Sequence, residues 1–466
     1  MLKDTQPLFS PALLKQLDIN GPRYTSYPTA DRFHAGFDAS AYARTLASRR
    51  ALHEHKAAAP LSLYVHIPFC ESVCYYCACN KVITRHHERA AEYLRALDTE
   101  IELHRQALGA PQSVSQLHFG GGTPTFLSDA ELSGLMASLR RAFEFTPEAE
   151  LSIEVDPRTV DAARLATLRA LGFNRISLGV QDFDPAVQQA VHRIQSEEMV
   201  RELIGHARKL GFDSINTDLI FGLPMQTPTS FARTVEQIGA LRPDRIALYA
   251  YAHLPTRFKP QRRIQSADLP LAGARVQMLQ GAIEGFLGQG YTYIGMDHFA
   301  LPGDALAQAQ RQGKLHRNFQ GYTTQPDSDL IGLGVSSIGG IGASYAQNAK
   351  TLPEYYDALA QGRFPVVRGI ELDAEDLLRR HVIMALMCQG RVEMAVVEAA
   401  HGIVFAEHFA PELERLARYV EMGLVQVGQG AIEVTPTGWF FVRVLAMAFD
   451  AALGAEVPRE RFSRVI

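Results

Sequence analysis

"LSLYVHIPFCESVCYYCACN", residues 61–80, begins as a strand and ends as a thiol-rich loop. Its first eight residues form a short apolar and aromatic run; the loop then brings Cys70, Cys74, Cys77 and Cys79 within ten residues of a chain with five cysteines. Outward from this stretch, short β-branched or aromatic runs alternate with longer helical periods, the pattern of repeated βα units around a parallel sheet. A helix is expected through "AAEYLRALDTEIELHRQAL". "SVSQLHF" then leads into "GGGTPT" and a helix from Ser128, and "AELSIEVDP" into "AARLATLRALG". "RISLGVQ" precedes a helix over 196–210, "SINTDLIFGLP" precedes "SFARTVEQIGAL", and "RIALYAYAHLP" precedes a helix near 272–287. Ser128, Asp161 and Ser196 stand where helices start; Gly172, Gly211 and Gly290 stand where they stop. In such an array the chemistry gathers at the carboxyl ends of the strands. The cysteines, the glycine run, Glu154 with Asp156, Gln181, Asp218 and the "YAHLP" turn each fall at the end of a different predicted strand.

The 466 residues exceed one ordinary core, so a large domain of barrel or doubly wound type with smaller additions is expected. Residues 1–60 read as an N-terminal extension, 61–362 as the catalytic unit with its following loops, and 363–466 as a helical domain. There "GLVQVGQGAIEV" makes a β-wing. Apolar content of 47% with 21% charged residues suits a soluble globular protein. The most apolar stretch, "LIGLGVSSIGGIGASYA" at 330–346, is broken by serines and glycines and reads as a buried glycine-rich loop rather than a membrane span. A net charge of −4 gives no long-range attraction for nucleic acid or anionic lipid, so a small substrate is expected. "MLKDTQPLFSPALLKQLDIN" lacks the apolar core of an export signal, which predicts a cytoplasmic protein with reduced thiols.

Reduced, clustered cysteines are metal ligands or catalysts rather than staples. A structural zinc site usually draws two short cysteine pairs from separate pieces of chain, and this loop has one cluster with no second pair. Cys70-x3-Cys74-x2-Cys77 suits three corners of an iron–sulfur cubane with a fourth iron left open. Zinc remains the rival on spacing alone.

The triad at the end of a first barrel strand resembles the motif of radical S-adenosylmethionine enzymes. Adding Cys79, "GPRYTSYPTA", "HFGGGTPTFL", "IEVDPR", "GVQDF", "HRIQ", "DLIFGLP", "YAYAHLP", "LHRNFQGYTTQ" and "GLGVSSI", the chain resembles the oxygen-independent coproporphyrinogen III oxidases from about Gly21 to the final "RFSRVI". The resemblance implies an α/β fold, a partial (β/α)6 TIM-like barrel with a C-terminal, mainly helical, winged-helix-like domain. It implies a [4Fe–4S] cluster on Cys70, Cys74 and Cys77, with Cys79 not a ligand and S-adenosylmethionine on the open iron. Reductive cleavage would yield methionine and a 5′-deoxyadenosyl radical that takes hydrogen from a substrate propionate. Loss of CO2 and one electron leaves a vinyl group, and two rounds convert coproporphyrinogen III to protoporphyrinogen IX. A low-potential donor such as a flavodoxin or ferredoxin is implied, and a monomer is expected.

By the same resemblance Tyr64, Gly121 and Glu154 belong to a first S-adenosylmethionine site. Tyr76, Gly122, Thr123, Gln181, Arg193, Asp218, Ala252 and Ile338 belong to a second. Arg193 suits pairing with a carboxylate and Asp218 pairing with hydroxyls or an amine. No acid–base catalyst is assigned, because the cofactor radical carries the chemistry. Tyr76 stands where the family commonly has Phe, and Ala78 where it commonly has Gly, which bears on the second site and leaves cluster binding intact. Arg23 and Tyr24 are expected to fold over the site and meet the four propionates, with His316 and Arg317 in a similar role. His66 and His118 read as hydrogen-bonded structural residues and Cys388 as a buried small hydrophobe. A related haem-chaperone-like group shares the cluster loop but commonly lacks the fourth cysteine and "GPRYTSYPT", both present here. A zinc-stabilised DNA-binding protein using the wing is the reading from another class; the tail has no dense Lys/Arg stripe to support it.

Overall fold

The computed structural model describes residues 10–17, 19–55, 58–325, 328–453 and 462. Most of the terminal "RFSRVI" lies outside the described residues. One sheet of twelve strands organises the fold. At its centre β1 (Leu61–Ile67), β2 (Gln112–Gly121), β3 (Phe143–Val155), β4 (Arg175–Gln181), β5 (Ser214–Phe221) and β6 (Arg245–Ala250) lie side by side in chain order, all parallel. The longer helices between and after them are Glu88–Leu108, Asp129–Ala142, Ala162–Ala170, Glu197–Lys209, Pro228–Leu241 and Ala272–Gly288, the expected βα array. Their starts are chemically fixed. Ser128 and Glu131 form a reciprocal capping box, the Asp161 carboxylate accepts from Arg164 N at 2.8 Å, and Ser196 Oγ accepts from Met199 N at 3.1 Å. Each such cap is worth about 1 kcal/mol.

The sheet extends past the array on both sides. β7 (Thr292–Gly295) and β8 (His298–Ala300) continue it antiparallel from β6. On the other side β9 (Leu330–Leu333) pairs parallel with β1, and β10 (Ile338–Gly340), β11 (Ser344–Asn348) and β12 (Val366–Glu371) follow antiparallel. Two expectations change here. The glycine-rich stretch 330–346 is buried, but most of it is strand rather than loop, because its glycines let neighbouring backbones close up. A Cβ on Gly332 would sit 2.7 Å from Ile338 O, and one on Gly339 would sit 2.6 Å from Leu330 O. Glycine's low strand propensity hid this in the sequence. The boundary placed after residue 362 also falls short, since β12 is still a ladder strand of the main sheet.

Beyond β12 a helix, Ala374–Gln389, opens the C-terminal part, and strands Arg391–Glu393, Val425–Val427 and Ala431–Val434 make the expected wing. The N-terminal segment runs as a strap. Helix Ala39–Glu54 packs on Glu88–Leu108, where Tyr42 Oη lies 3.0 Å from His104 Nε2, and Arg49 pairs with Asp329. Among the described residues, no helix is long and apolar enough to cross a membrane.

Candidate active site

Successive side chains on a strand point to opposite faces, and the inner faces here are polar. Glu150, Ser152 and Glu154 on β3, Arg175 and Ser177 on β4, Asn216 and Asp218 on β5, and Arg245 and Tyr249 on β6 all face one cavity of about 370 Å³. That volume is in the range of small-molecule sites. Two ion pairs, Arg175 with Glu150 and Arg245 with Asp304 (2.8 Å), close the floor of the barrel.

The mouth of the cavity is the cysteine loop. Cys70, Cys74, Cys77 and Cys79 all line it. The loop is fixed to the end of β2: Gly122 N donates to Ile67 O and Thr123 N to Phe69 O, both at 2.8 Å. Gly121 has φ of 117°, a conformation that glycine adopts without strain, and a Cβ on Gly122 would sit 2.8 Å from the carbonyl oxygens of Pro68 and Phe69. What the bare glycine backbone makes room for is therefore the cysteine loop itself.

Polar groups converge on the sulfurs. Thr123 Oγ1 donates to Cys70 Sγ (3.4 Å), and Cys74 Sγ accepts from Arg193 Nη1 (3.5 Å) and Arg158 Nη2 (3.7 Å). Lys81 Nζ donates to the carbonyls of Cys77 and Cys79 at 3.0 and 3.3 Å. Burial pushes the Cys70 thiol up to about 11, with the Thr123 hydrogen bond working against it. A hydrogen bond from Cys79, and then the Lys81 charge, hold the Cys77 thiol below its ordinary value, while Cys79 is raised. Asp156 locks the two guanidinium groups in place. Its carboxylate accepts from Arg158 Nη2 at 2.6 Å and Nε at 3.0 Å, and from Arg193 Nη1 at 3.1 Å. Although burial opposes the Asp156 charge, the Arg158 hydrogen bonds and Arg193 hold its carboxyl below the usual range.

This donor set fits a [4Fe–4S] cluster. Among the described residues no three His, Cys, Asp or Glu side chains gather as ligands of a single ion; the loop offers four thiols, Cys70, Cys74, Cys77 and Cys79, spaced along one short segment. Hydroxyl and guanidinium donors are already aimed at sulfur, where an iron-bound thiolate carries negative charge.

The remaining expected residues divide. Tyr76, Gly121, Gly122, Thr123, Glu154, Gln181, Arg193 and Asp218 line the cavity with the cysteines. Glu154 accepts from Gly121 N at 3.2 Å. Gln181 has φ of 71° beside a register shift at the end of β4, an irregularity of the kind that re-aims side chains at functional sites. Asp218 accepts from Ser177 Oγ and Asn216 Nδ2, both at 2.9 Å; burial and the Glu154 charge raise it to about 6. Arg193 is not a free cation, because its donors are engaged by Gly179 O, Asp156 and Cys74. Ala252 is linked to Tyr76 through Gln261, whose Nε2 donates to both backbone carbonyls at 3.2 and 2.9 Å. Tyr64 lies under the mouth, with its ring stacked on His118 and its hydroxyl 3.0 Å from His66 Nδ1. Ile338 packs instead with Phe33, Tyr345 and Ile370.

Arg23 pairs with Asp297 and lies over the Tyr249 ring at 5.7 Å. Tyr24 is fully buried and donates to Asp450 Oδ2 at 2.9 Å, joining the N-terminal strap to the C-terminal domain. That bond is structural. His316 and Arg317 lie on the hairpin His316–Asn318 and Gly321–Thr323. Arg317 is 7% exposed, over the Tyr322 ring at 4.7 Å, with Nε and Nη1 lacking hydrogen-bond partners among the described residues. His66, bonded through Nε2 to Asn80 O at 3.0 Å, and His118, through Nδ1 to Ser152 Oγ at 2.6 Å, are hydrogen-bonded as expected; Cys388 is buried. Arg158, Lys81 and Tyr249 also line the cavity and are not among the site residues expected from the sequence. The period of two along "RIALYA" would have placed Tyr249 on the same face as Arg245.

Fold and thiol loop together define a radical S-adenosylmethionine enzyme. The Radical SAM superfamily model matches residues 64–238, and the HemN C-terminal domain model matches residues 372–441. Oxygen-independent coproporphyrinogen III oxidase of Salmonella typhimurium is 50% identical, covering 98% of both chains; that of Pseudomonas aeruginosa is 49% identical over 97% of this chain and 98% of its own. A solved structure, described as coproporphyrinogen III oxidase (HemN) from Escherichia coli and a radical SAM enzyme, superposes with a TM-score of 0.90. It is 48% identical and covers 96% of this chain and all of that one. The chain belongs to the oxygen-independent coproporphyrinogen III oxidase family.

Proposed function

We propose that the protein oxidatively decarboxylates two propionates of coproporphyrinogen III to vinyl groups without oxygen, giving protoporphyrinogen IX for haem synthesis. The observation that carries this reading is the cysteine triad opening onto a polar barrel cavity, in a chain half-identical over nearly its whole length to relatives of that name. When bound, a [4Fe–4S] cluster supplies one electron for the reductive cleavage of S-adenosylmethionine, whose 5′-deoxyadenosyl radical is the oxidant. Cys70, Cys74 and Cys77 would hold the cluster, and Thr123, Arg158 and Arg193 would orient and partly neutralise the sulfurs. Glu154, with Gly121 and nearby Tyr64, suits the polar end of a first S-adenosylmethionine. Tyr76, Gly122, Thr123, Gln181, Arg193, Asp218, Ala252 and Ile338 make up the site of a second. Tyr76, Gly121, Gly122, Thr123, Glu154, Gln181, Arg193 and Asp218 share the cavity, whereas Ile338 packs with Phe33, Tyr345 and Ile370.

For the substrate, Arg317 has two buried donors without partners among the described residues, which suits a propionate carboxylate. Arg23 beside Tyr249 and His316 on the same hairpin flank that role. A cytoplasmic monomer reduced by a flavodoxin or ferredoxin completes the reading. The test is anaerobic reconstitution with iron, sulfide and reductant, then S-adenosylmethionine and coproporphyrinogen III. Vinyl product with methionine and 5′-deoxyadenosine is expected. Tight haem binding with no decarboxylation would instead place the protein with the haem-chaperone-like group.

A further inference from the structure

"LPTRFKPQRRIQSA", residues 254–267, carries four cations and no acid in a chain of net charge −4. Arg257, Lys259, Arg262 and Arg263 are exposed, three of them on the turn Lys259–Arg263. Among the described residues none of the four pairs with a carboxylate.

This basic turn is fastened to the cysteine loop. Gln261, buried at its centre, donates to Tyr76 O, and its Oε1 accepts from Leu254 N at 2.6 Å. The Arg263 guanidinium lies 5.0 Å from the centre of the Tyr75 ring, which stacks on His192 at 5.1 Å. Tyr75 stands between the ligands Cys74 and Cys77. Beneath them a small apolar core of Val187, Val191, Leu223, Tyr251 and Ile264 packs against Tyr75 and Tyr76, so the turn and the loop share one packed core. The positive charge continues across the loop. Partial burial and then the charges of Arg368 and Arg257 lower the Lys350 ammonium, while Lys350 O accepts from Asn80 of the cysteine loop at 2.9 Å. Exposed apolar side chains are interspersed: Leu254 is 36% exposed, and Met225, whose backbone bonds Asp268 O, is 50% exposed.

Cations around a few exposed apolar side chains, beside a redox centre, have the character of a transient electron-transfer interface. Such complexes bury little area and rely on charge complementarity for fast encounter. The chemistry proposed above draws one electron from outside, and the outer face of the cysteine loop is a short protein path to the cluster.

We propose that the basic turn 257–263 is the docking surface for a small acidic one-electron carrier protein, which delivers its electron across the Tyr75 side of the cysteine loop. This rests on the radical S-adenosylmethionine reading. In the step one electron leaves the reduced carrier and enters the cluster; the carrier is oxidised by one unit, and no bond or proton changes place.

The test uses the triple variant Arg257→Glu/Lys259→Glu/Arg262→Glu, which leaves Arg263 and the ligand loop untouched, and an acidic flavodoxin as probe. Flavodoxin binding to cluster-free and cluster-loaded protein is measured by calorimetry at low and high salt. 5′-Deoxyadenosine formation is measured with reduced flavodoxin and, separately, with dithionite. The expected result is at least a tenfold weaker Kd at low salt, a difference that shrinks at high salt, and a matching loss of flavodoxin-driven rate. Dithionite-driven turnover and the KM for coproporphyrinogen III should stay within twofold. Unchanged flavodoxin affinity and rate would overturn the proposal. So would a raised KM for the tetracarboxylate substrate under dithionite, which would assign the patch to substrate capture. Should the triple variant not fold, Arg257→Gln/Lys259→Gln, which removes charge without reversing it, carries the same comparison. Absence of dithionite-driven S-adenosylmethionine cleavage in the parent protein would instead overturn the functional reading, a distinct outcome.

Discussion

Replacing Asp156 with Ala removes the one carboxylate that holds two guanidinium groups against Cys74. In the native protein the Asp156 side chain is 9% exposed and that of Arg193 is 8% exposed, while Arg158 is more open at 21%. Breaking a buried pair by deleting one partner typically costs about 3–5 kcal/mol, because the other charge stays buried and uncompensated. Here two cations are left facing each other. Partial exposure of Arg158 and the nearby Cys74 sulfur soften the loss, so the lower end, about 3 kcal/mol, is expected. That is a large share of the roughly 5–15 kcal/mol by which proteins are stable. Anaerobic urea denaturation of the cluster-free protein should show a lower midpoint at unchanged slope, and Asp156→Asn, which keeps an acceptor, should lose less. Iron retained after reconstitution should fall as well, since Arg193 and Arg158 lose their orientation. The sign with pH follows from a depressed carboxyl. Its stabilisation is present above the unfolded value near 4 and is lost as pH falls through the folded value, so the difference between native and Asp156→Ala should narrow in acid. A stability loss under about 1 kcal/mol with iron content intact would refute the pairing as the organiser of the site.

Other outcomes test separate links. Ser at Cys70, Cys74 or Cys77 should abolish iron retention and 5′-deoxyadenosine formation, whereas Cys79→Ser should keep iron, as read by metal and sulfide analysis. Arg317→Met should raise the KM for coproporphyrinogen III about 10–100-fold, the equivalent of a charge-assisted bond of about 1.5–3 kcal/mol, while leaving thermal stability equal or higher because a buried cation with two donors unpartnered among the described residues is removed; an unchanged KM would rule out substrate contact. Tyr24→Phe should cost about 1.5–3 kcal/mol in unfolding experiments, by loss of its bond to Asp450, with kcat and KM preserved at permissive temperature. Asp218 is raised to about 6, so its favourable contribution is complete below pH 4 and lost as pH climbs through 6; Asp218→Asn should flatten the stability profile across that window.

The sequence by itself determined the parallel array, because strand periods, capping residues and terminal glycines act over a few neighbouring positions; the capping box at Ser128 and the wing at 425–434 are of this kind. It also marked out the thiol loop as the candidate cluster segment, since Cys70, Cys74 and Cys77 are close in the chain and their spacing is itself the chemical signal. Tertiary structure alone decided what meets across distance. Asp156 finds Arg193 37 residues away, Tyr24 finds Asp450 across 426, and Arg263 comes to rest on Tyr75. It also turned a glycine-rich run into sheet, where packing against adjacent backbones outweighed local propensity. The physical reason is common to all of these: a contact between distant segments is set by how the elements stack, and no local pattern encodes it.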